Sequence, residues 1–131
     1  MQLRPLAILA LVFLLGTAGC GQGDEEGTIP IVLSHGNNSR PYLPWPDEVA
    51  KQVAGDLEDV GFSVRIQKEP WSAYIPNVEN GRHQIAILGW SADVADPDNF
   101  LRALLHKDSA EIGSANNISF YRSDEVSTLL D

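Results

Sequence analysis

The residues equipped to do chemistry in this chain are few, and most fall in two short stretches. Asp93, Asp96 and Asp98 crowd into one segment, after an apolar run and before a helix-like one. Acids this close could receive a calcium ion, but their spacing lacks the D-x-[DN]-x-[DN]-G register of a calcium loop. Asp96 and Asp98 also suit the start of the following helix, where a carboxylate accepts free backbone N–H groups. Asp93 stands too close to the preceding run to cap that helix, so its charge is available for a cation. The opposite charge lies in the segment SRPYLP at 39–44. Arg40 is the only Lys or Arg between Thr28 and Lys51, and a guanidinium can fork onto a carboxylate with two parallel hydrogen bonds. Alone, Arg40 reads as a surface charge. Paired with Asp93, it suggests a clamp for a small zwitterion. Tyr42, Trp45, Trp71 and Trp90 add aromatic surface near these stretches in sequence, although each by itself suits a core equally well.

Other chemistries find little support. There is no Gly-x-Ser-x-Gly elbow, and the single cysteine, Cys20, belongs to the N-terminal segment. His35, His83 and His106 lie far apart without metal-ligand spacing and read as solvated or locally hydrogen-bonded. No glycine loop that cradles phosphate follows a strand-like run. Neither a catalytic apparatus, nor a metal site, nor a cofactor is therefore expected. The 131 residues carry 9 Lys+Arg against 18 Asp+Glu, a net charge of −9, which argues against nucleic acid as a partner. With 44% hydrophobic and 21% charged residues, the chain has the means to build a core.

The elements that must position Arg40 and Asp93 alternate along the chain. Ile29 to Leu33 is a buried-strand candidate, with Pro30 favouring a strand start or an edge. A loop follows over 34–46. The spacing predicts a helix over 47–60, with Asp47 and Glu48 at the positive end of its dipole and a stripe of Val49, Val53, Leu57 and Val60. Gly61 is a natural stop. Phe62 to Ile66 alternates like a strand, and Trp71 to Glu79 reads as a helix weakened by Pro76. Gln84 to Trp90 is the most apolar strand candidate, Pro97 to His106 a helix, Ile118 to Tyr121 an extended piece, and a last helix begins near Ser123. This alternation implies an α/β layer with a small, partly parallel sheet near 29–34, 62–68 and 84–89 and flanking helices joined by right-handed crossovers. Both charged segments then follow strands, which is where α/β sheets place ligands.

The first residues read as a targeting segment. Arg4 precedes the apolar run Leu6 to Leu15, and small residues lead into Cys20. The run is shorter than the roughly twenty residues that span a bilayer. The small residues before a lone cysteine resemble a bacterial lipobox, with Thr17 where such boxes usually carry Leu. The resemblance implies a signal peptide over 1–19, lipidation of Cys20 and export to the cell envelope. Residues 20–28 include GQGDEEG and read as a flexible tether, leaving 29–131 as the folded unit.

Taken in order, S-R-P-Y-x-P at 39–44, F-S-V-R-I at 62–66, W-S-A-Y at 71–74, N-G-R-H-Q-I-A-I-L-G-W at 80–90 and D-P-D-N-F at 96–100 resemble the extracytoplasmic solute-binding proteins of the dipeptide/oligopeptide/nickel class, which feed ABC importers. The dipeptide-binding branch is the most similar. The resemblance implies a type II periplasmic binding protein fold, of which this chain corresponds to part of the C-terminal lobe. It implies that Asp93 receives a ligand's α-amino group and Arg40 its carboxylate; of the nearby aromatics, Tyr42 and Trp90 are expected to contact the ligand beside them. An extended dipeptide separates its end charges by about 7 Å, so only a short ligand satisfies both groups at once. The partners implied are a short peptide or similar zwitterion, the membrane subunits of an ABC importer, and the membrane itself through the lipid anchor. Members of the family have two lobes and several hundred residues, so the expectation is a truncated receptor. The alternative is a small surface lipoprotein whose half-lobe binds a protein partner.

Overall fold

The computed structural model describes residues 27–131. The expected signal peptide, most of the tether and Cys20 lie outside the described residues. Three parallel strands form one sheet in the order β2-β1-β3, with β1 Ile29–Gly36, β2 Phe62–Glu69 and β3 Ile85–Ile87. Helix α1, Pro46–Glu58, connects β1 to β2, and α2, Trp71–Glu79, connects β2 to β3. After β3 come α3, Asp98–Leu105, a 3-10 turn at Lys107–Ser109 and α4, Asp124–Leu129. Parallel pairing requires a crossover between each pair of strands, and α1 and α2 supply them. The α/β reading therefore holds.

Strand β1 is central, not an edge. Pro30 is its second residue, paired with Ser63 of β2, whereas β3 meets β1 only over Leu33–His35. The proline thus marks a strand start, on a side where no ladder bond from β3 is required. β3 is also shorter than its apolar run: Leu88 to Trp90 leave the sheet, and all three strand residues are only half-buried. Apolarity there serves packing beyond the sheet, so it overstates strand length.

One face of the sheet rests on α1. Leu33, Ala50 and Ala54 are buried together, with Val53, Val64, Ile85 and Ile87 packed against them. This corrects the expected stripe. Val49 is exposed and Val60 lies beyond the helix, 70% exposed, while Pro46, Ala50 and Ala54 face inward. Alanines four residues apart share one helix face and let it approach the sheet closely, which a search for large apolar residues overlooks. On the other face α2 buries Tyr74 and Val78, also four apart. The Tyr74 hydroxyl donates to the Ile87 carbonyl at 2.9 Å and lies 3.3 Å from that of Ser34, tying α2 to both β3 and β1. Pro76 sits within α2 on its exposed side and leaves the helix unbroken.

The C-terminal segment folds back around Asn117, which is 1% exposed. Its amide donates to the carbonyls of Tyr121 and His106, and its oxygen accepts from Ser119. Residues 118–121, expected as an extended piece, form a turn instead, with Phe120 at φ 54°. Helix α4 begins where the sequence suggests, with Ser123 Oγ accepting from the Val126 N–H at 3.2 Å.

Candidate functional site

Because β1 and β3 are adjacent and parallel, their carboxyl ends lie at the same end of the sheet. Arg40 follows β1 and Asp93 follows β3, so the fold delivers both charged segments to one end. α2 begins there too, just after β2, and contributes Trp71.

The loop after β1 is a tight construction. The Asn37 N–H donates to the Glu69 carbonyl at 2.8 Å, tying the loop's start to the end of β2. The N–H of Arg40 donates to the Leu43 carbonyl and that of Leu43 to the Arg40 carbonyl, at 3.0 and 2.9 Å. Ser39 Oγ donates to the Pro44 carbonyl at 2.7 Å and closes the turn. Rings then pack onto backbone. At Gly36 a Cβ would lie 2.7 Å from the Trp71 ring, and at Gly89 it would lie 2.3 Å from the Tyr42 ring. Each glycine therefore acts as a seat for an aromatic side chain.

Tyr42, Trp71, Gly89 and Trp90 line one cleft of about 230 Å³, whose other walls include Leu88, Leu104 and Ile118, with Glu79 as its one charged lining residue. The structure thus brings Tyr42 and Trp90 together with Trp71. Arg40 stacks on Trp71, its guanidinium carbon 3.7 Å from the ring centroid. Arg40 Nε is buried and has no hydrogen-bond partner among the described residues.

Asp93 is exposed, outside the cleft's lining, on the loop that leaves it. Asn99 holds this loop: its Oδ1 accepts from the Trp90 indole N–H at 3.1 Å and from the Asp93 backbone N–H at 3.2 Å. Arg40 and Asp93 form no ion pair with each other or elsewhere among the described residues. Among the described residues, then, neither charge is paired with an opposite one. The N-cap position of α3 falls to Pro97, not to Asp96 or Asp98 as expected: Asp96, one residue earlier, accepts from the Asp98 N–H through its Oδ1 at 2.9 Å, and Asp98 stands in the first turn of α3.

Two features go beyond the sequence reading; the first is the burial of two histidines that are, as expected, locally hydrogen-bonded. His35 and His106 are buried, at 1% and 2% exposure. His35 Nδ1 donates to the Gly36 carbonyl at 3.0 Å, and its Nε2 lies 3.6 Å from Asp47 at the start of α1. Asp47 is held below the ordinary carboxylate range, mainly by a hydrogen bond from Lys68. The second feature is Asn99, whose only sequence signal was its place within D-P-D-N-F.

Comparison with known proteins gives a consistent picture. The family model described as bacterial extracellular solute-binding proteins, family 5 Middle, matches residues 14–111. Di/tripeptide-binding protein 3 of Pseudomonas aeruginosa (strain UCBPP-PA14) is 34% identical over 106 residues, covering 81% of this chain and 18% of that protein. Among solved structures, an ABC transporter-associated periplasmic binding protein from Helicobacter pylori, in complex with the peptide STSA, superposes with a TM-score of 0.70 at 33% identity, over 79% of this chain and 19% of its own. A dipeptide binding protein from Pseudoalteromonas sp. SM9913, in complex with Met-Leu, gives 0.73 at 30% identity, over 80% and 20%. The chain thus spans about a fifth of the length of these relatives.

Proposed function

The chain belongs to the bacterial extracellular solute-binding proteins of family 5, and from that premise we propose that it takes part in short-peptide capture for an ABC importer. In this reading it supplies one wall of a peptide site. Arg40 receives the ligand carboxylate, Asp93 the α-amino group, and Tyr42 and Trp90 flank the ligand between them. The observation that carries the reading is the state of Arg40. Its guanidinium sits over Trp71 and has no carboxylate partner among the described residues. A planar cation held this way is prepared for an incoming carboxylate. The relatives' peptide ligands support the same chemistry.

No catalytic step is part of the proposal. The site binds, and the importer's membrane subunits accept the cargo. Among the described residues no helix is long and apolar enough to cross a membrane. We place the protein in the cell envelope, lipidated at Cys20 after removal of residues 1–19. Metabolic labelling with a fatty acid tests the anchor: wild type takes up label and Cys20→Ser does not. Equal labelling of the two would remove this part of the proposal.

Peptide capture is tested by NMR titration of the full chain with Met-Leu, N-acetyl-Met-Leu and Met-Leu amide. The free dipeptide should bind best, since blocking either end removes one charge of the clamp. Equal binding of all three would contradict a charge clamp.

A further inference from the structure

We infer that Asn99 is the positioning residue that makes the Trp90 wall and the Asp93 loop move as one unit. This rests on the proposed role of Asp93 in ligand binding.

The argument starts from hydrogen-bond capacity. An amide oxygen has two lone-pair sites. In Asn99 both are used, by the Trp90 indole N–H at 3.1 Å and the Asp93 backbone N–H at 3.2 Å. One donor belongs to a side chain that lines the aromatic cleft, the other to the residue proposed to read the ligand's amino group. Asn99 is itself anchored. It is the second residue of α3 and itself half-buried. The loop 91–97 has no regular secondary structure, and nearly all of it is exposed. Packing therefore does little to fix Asp93, and among the described residues the Asn99 oxygen is the contact that connects it to a helix.

Residue type matters here. Asp93, Asp96 and Asp98 already place three acids around this turn. A carboxylate at 99 would accept the same two N–H groups but add a like charge beside them. An amide supplies the acceptor without that charge. A leucine has similar bulk and no acceptor.

The test measures hydrogen exchange in the full-length, nitrogen-labelled protein without ligand. In wild type, the Trp90 indole and Asp93 amide protons should exchange more slowly than the amides of Ser91 and Ala92. In Asn99→Leu both should speed up together by about tenfold, the equivalent of one lost hydrogen bond. Asn99→Asp, which keeps an acceptor, should restore both, and the Leu33 amide in β1 reports that the sheet is intact. Wild-type protons as fast as those of Ser91, or an Asn99→Leu effect on only one of the two, would overturn the inference. Should Asn99→Leu unfold the sheet, wild type and Asn99→Asp still decide, since both must show the protected pair. A second arm titrates Met-Leu. Asn99→Leu should weaken binding as much as Asp93→Asn, and the double variant should be no weaker than either. Additive losses would contradict action through Asp93. If wild type takes up no Met-Leu, peptide capture fails, while the exchange data still judge whether Asn99 couples Trp90 to Asp93.

Discussion

The guanidinium carbon of Arg40 sits over Trp71, 3.7 Å from its ring centroid, and Trp71 in turn lies against the backbone of Gly36, the last residue of the central strand. The proposed carboxylate-binding group is thus positioned by the sheet through a single aromatic side chain. A cation over an aromatic face gains about 0.5–2 kcal/mol, more as it is desolvated. Trp71→Leu should release Arg40, and a double-mutant cycle with Arg40→Gln should return a coupling in that range, read by denaturant unfolding. A coupling of zero would mean that the stack is incidental.

Gly89→Ala should disturb the opposite wall. The new methyl would meet the Tyr42 ring at 2.3 Å, too close for any small adjustment. Overpacking of this kind costs about 1–3 kcal/mol. The expected signature is a shift of the Tyr42 ring resonances with the β1–β2 pairing unchanged. Unshifted Tyr42 resonances would show that the ring does not rest on Gly89.

Tyr74 predicts the behaviour at high pH. Burial, and next the nearby charge of Glu69, push its hydroxyl well above the ordinary 10.0 of tyrosine. The folded state therefore holds the proton more tightly than the unfolded state. This contribution to stability is complete below about pH 10 and declines as pH rises beyond it, because the unfolded chain ionises first. Tyr74→Phe should cost about 0.5–1.5 kcal/mol at neutral pH through the lost hydrogen bond to the Ile87 carbonyl, and should flatten the alkaline decline. A variant with the same alkaline slope as wild type would contradict this.

Amide exchange should be slowest at Leu33, Ser34 and His35. They are buried and flanked by strands on both sides, and such protons open only with the whole domain. Residues 85–87, though the most apolar run, are half-buried in a three-residue strand and should exchange faster. The reverse order would mean that β3, not β1, is the centre of stability.

That contrast shows how far the sequence could be read. Alternation of apolar runs located β1, β2 and α2, because short strands and a helix between turn residues leave strong local patterns. The inward face of α1 was not legible from Val49 and Val60. Burial there depends on Ala50 and Ala54, whose small size matters only once Leu33 lies opposite. The length of β3 was overstated because apolar residues 88–90 line a cleft instead of a sheet. In the site, Arg40 and Asp93 were visible as opposite charges after strands, and Tyr42 and Trp90 as nearby aromatics. Asn99 was not, since an amide's role depends on which N–H groups the fold brings to it.

The central claim is that Arg40 and Asp93 read opposite ends of one short ligand, and crossing site variants with end-blocked ligands tests it most directly. In an open site each contact is weakened by water, so wild type should bind Met-Leu with a Kd of about 1 mM, near −4 kcal/mol. It should bind N-acetyl-Met-Leu and Met-Leu amide more weakly. Asp93→Asn should lose discrimination against the N-acetylated ligand alone, and Arg40→Gln against the amidated ligand alone. NMR titration of the three proteins with the three ligands reads this pattern. Variants that keep the wild-type order of affinities, or that lose both discriminations at once, would contradict the account.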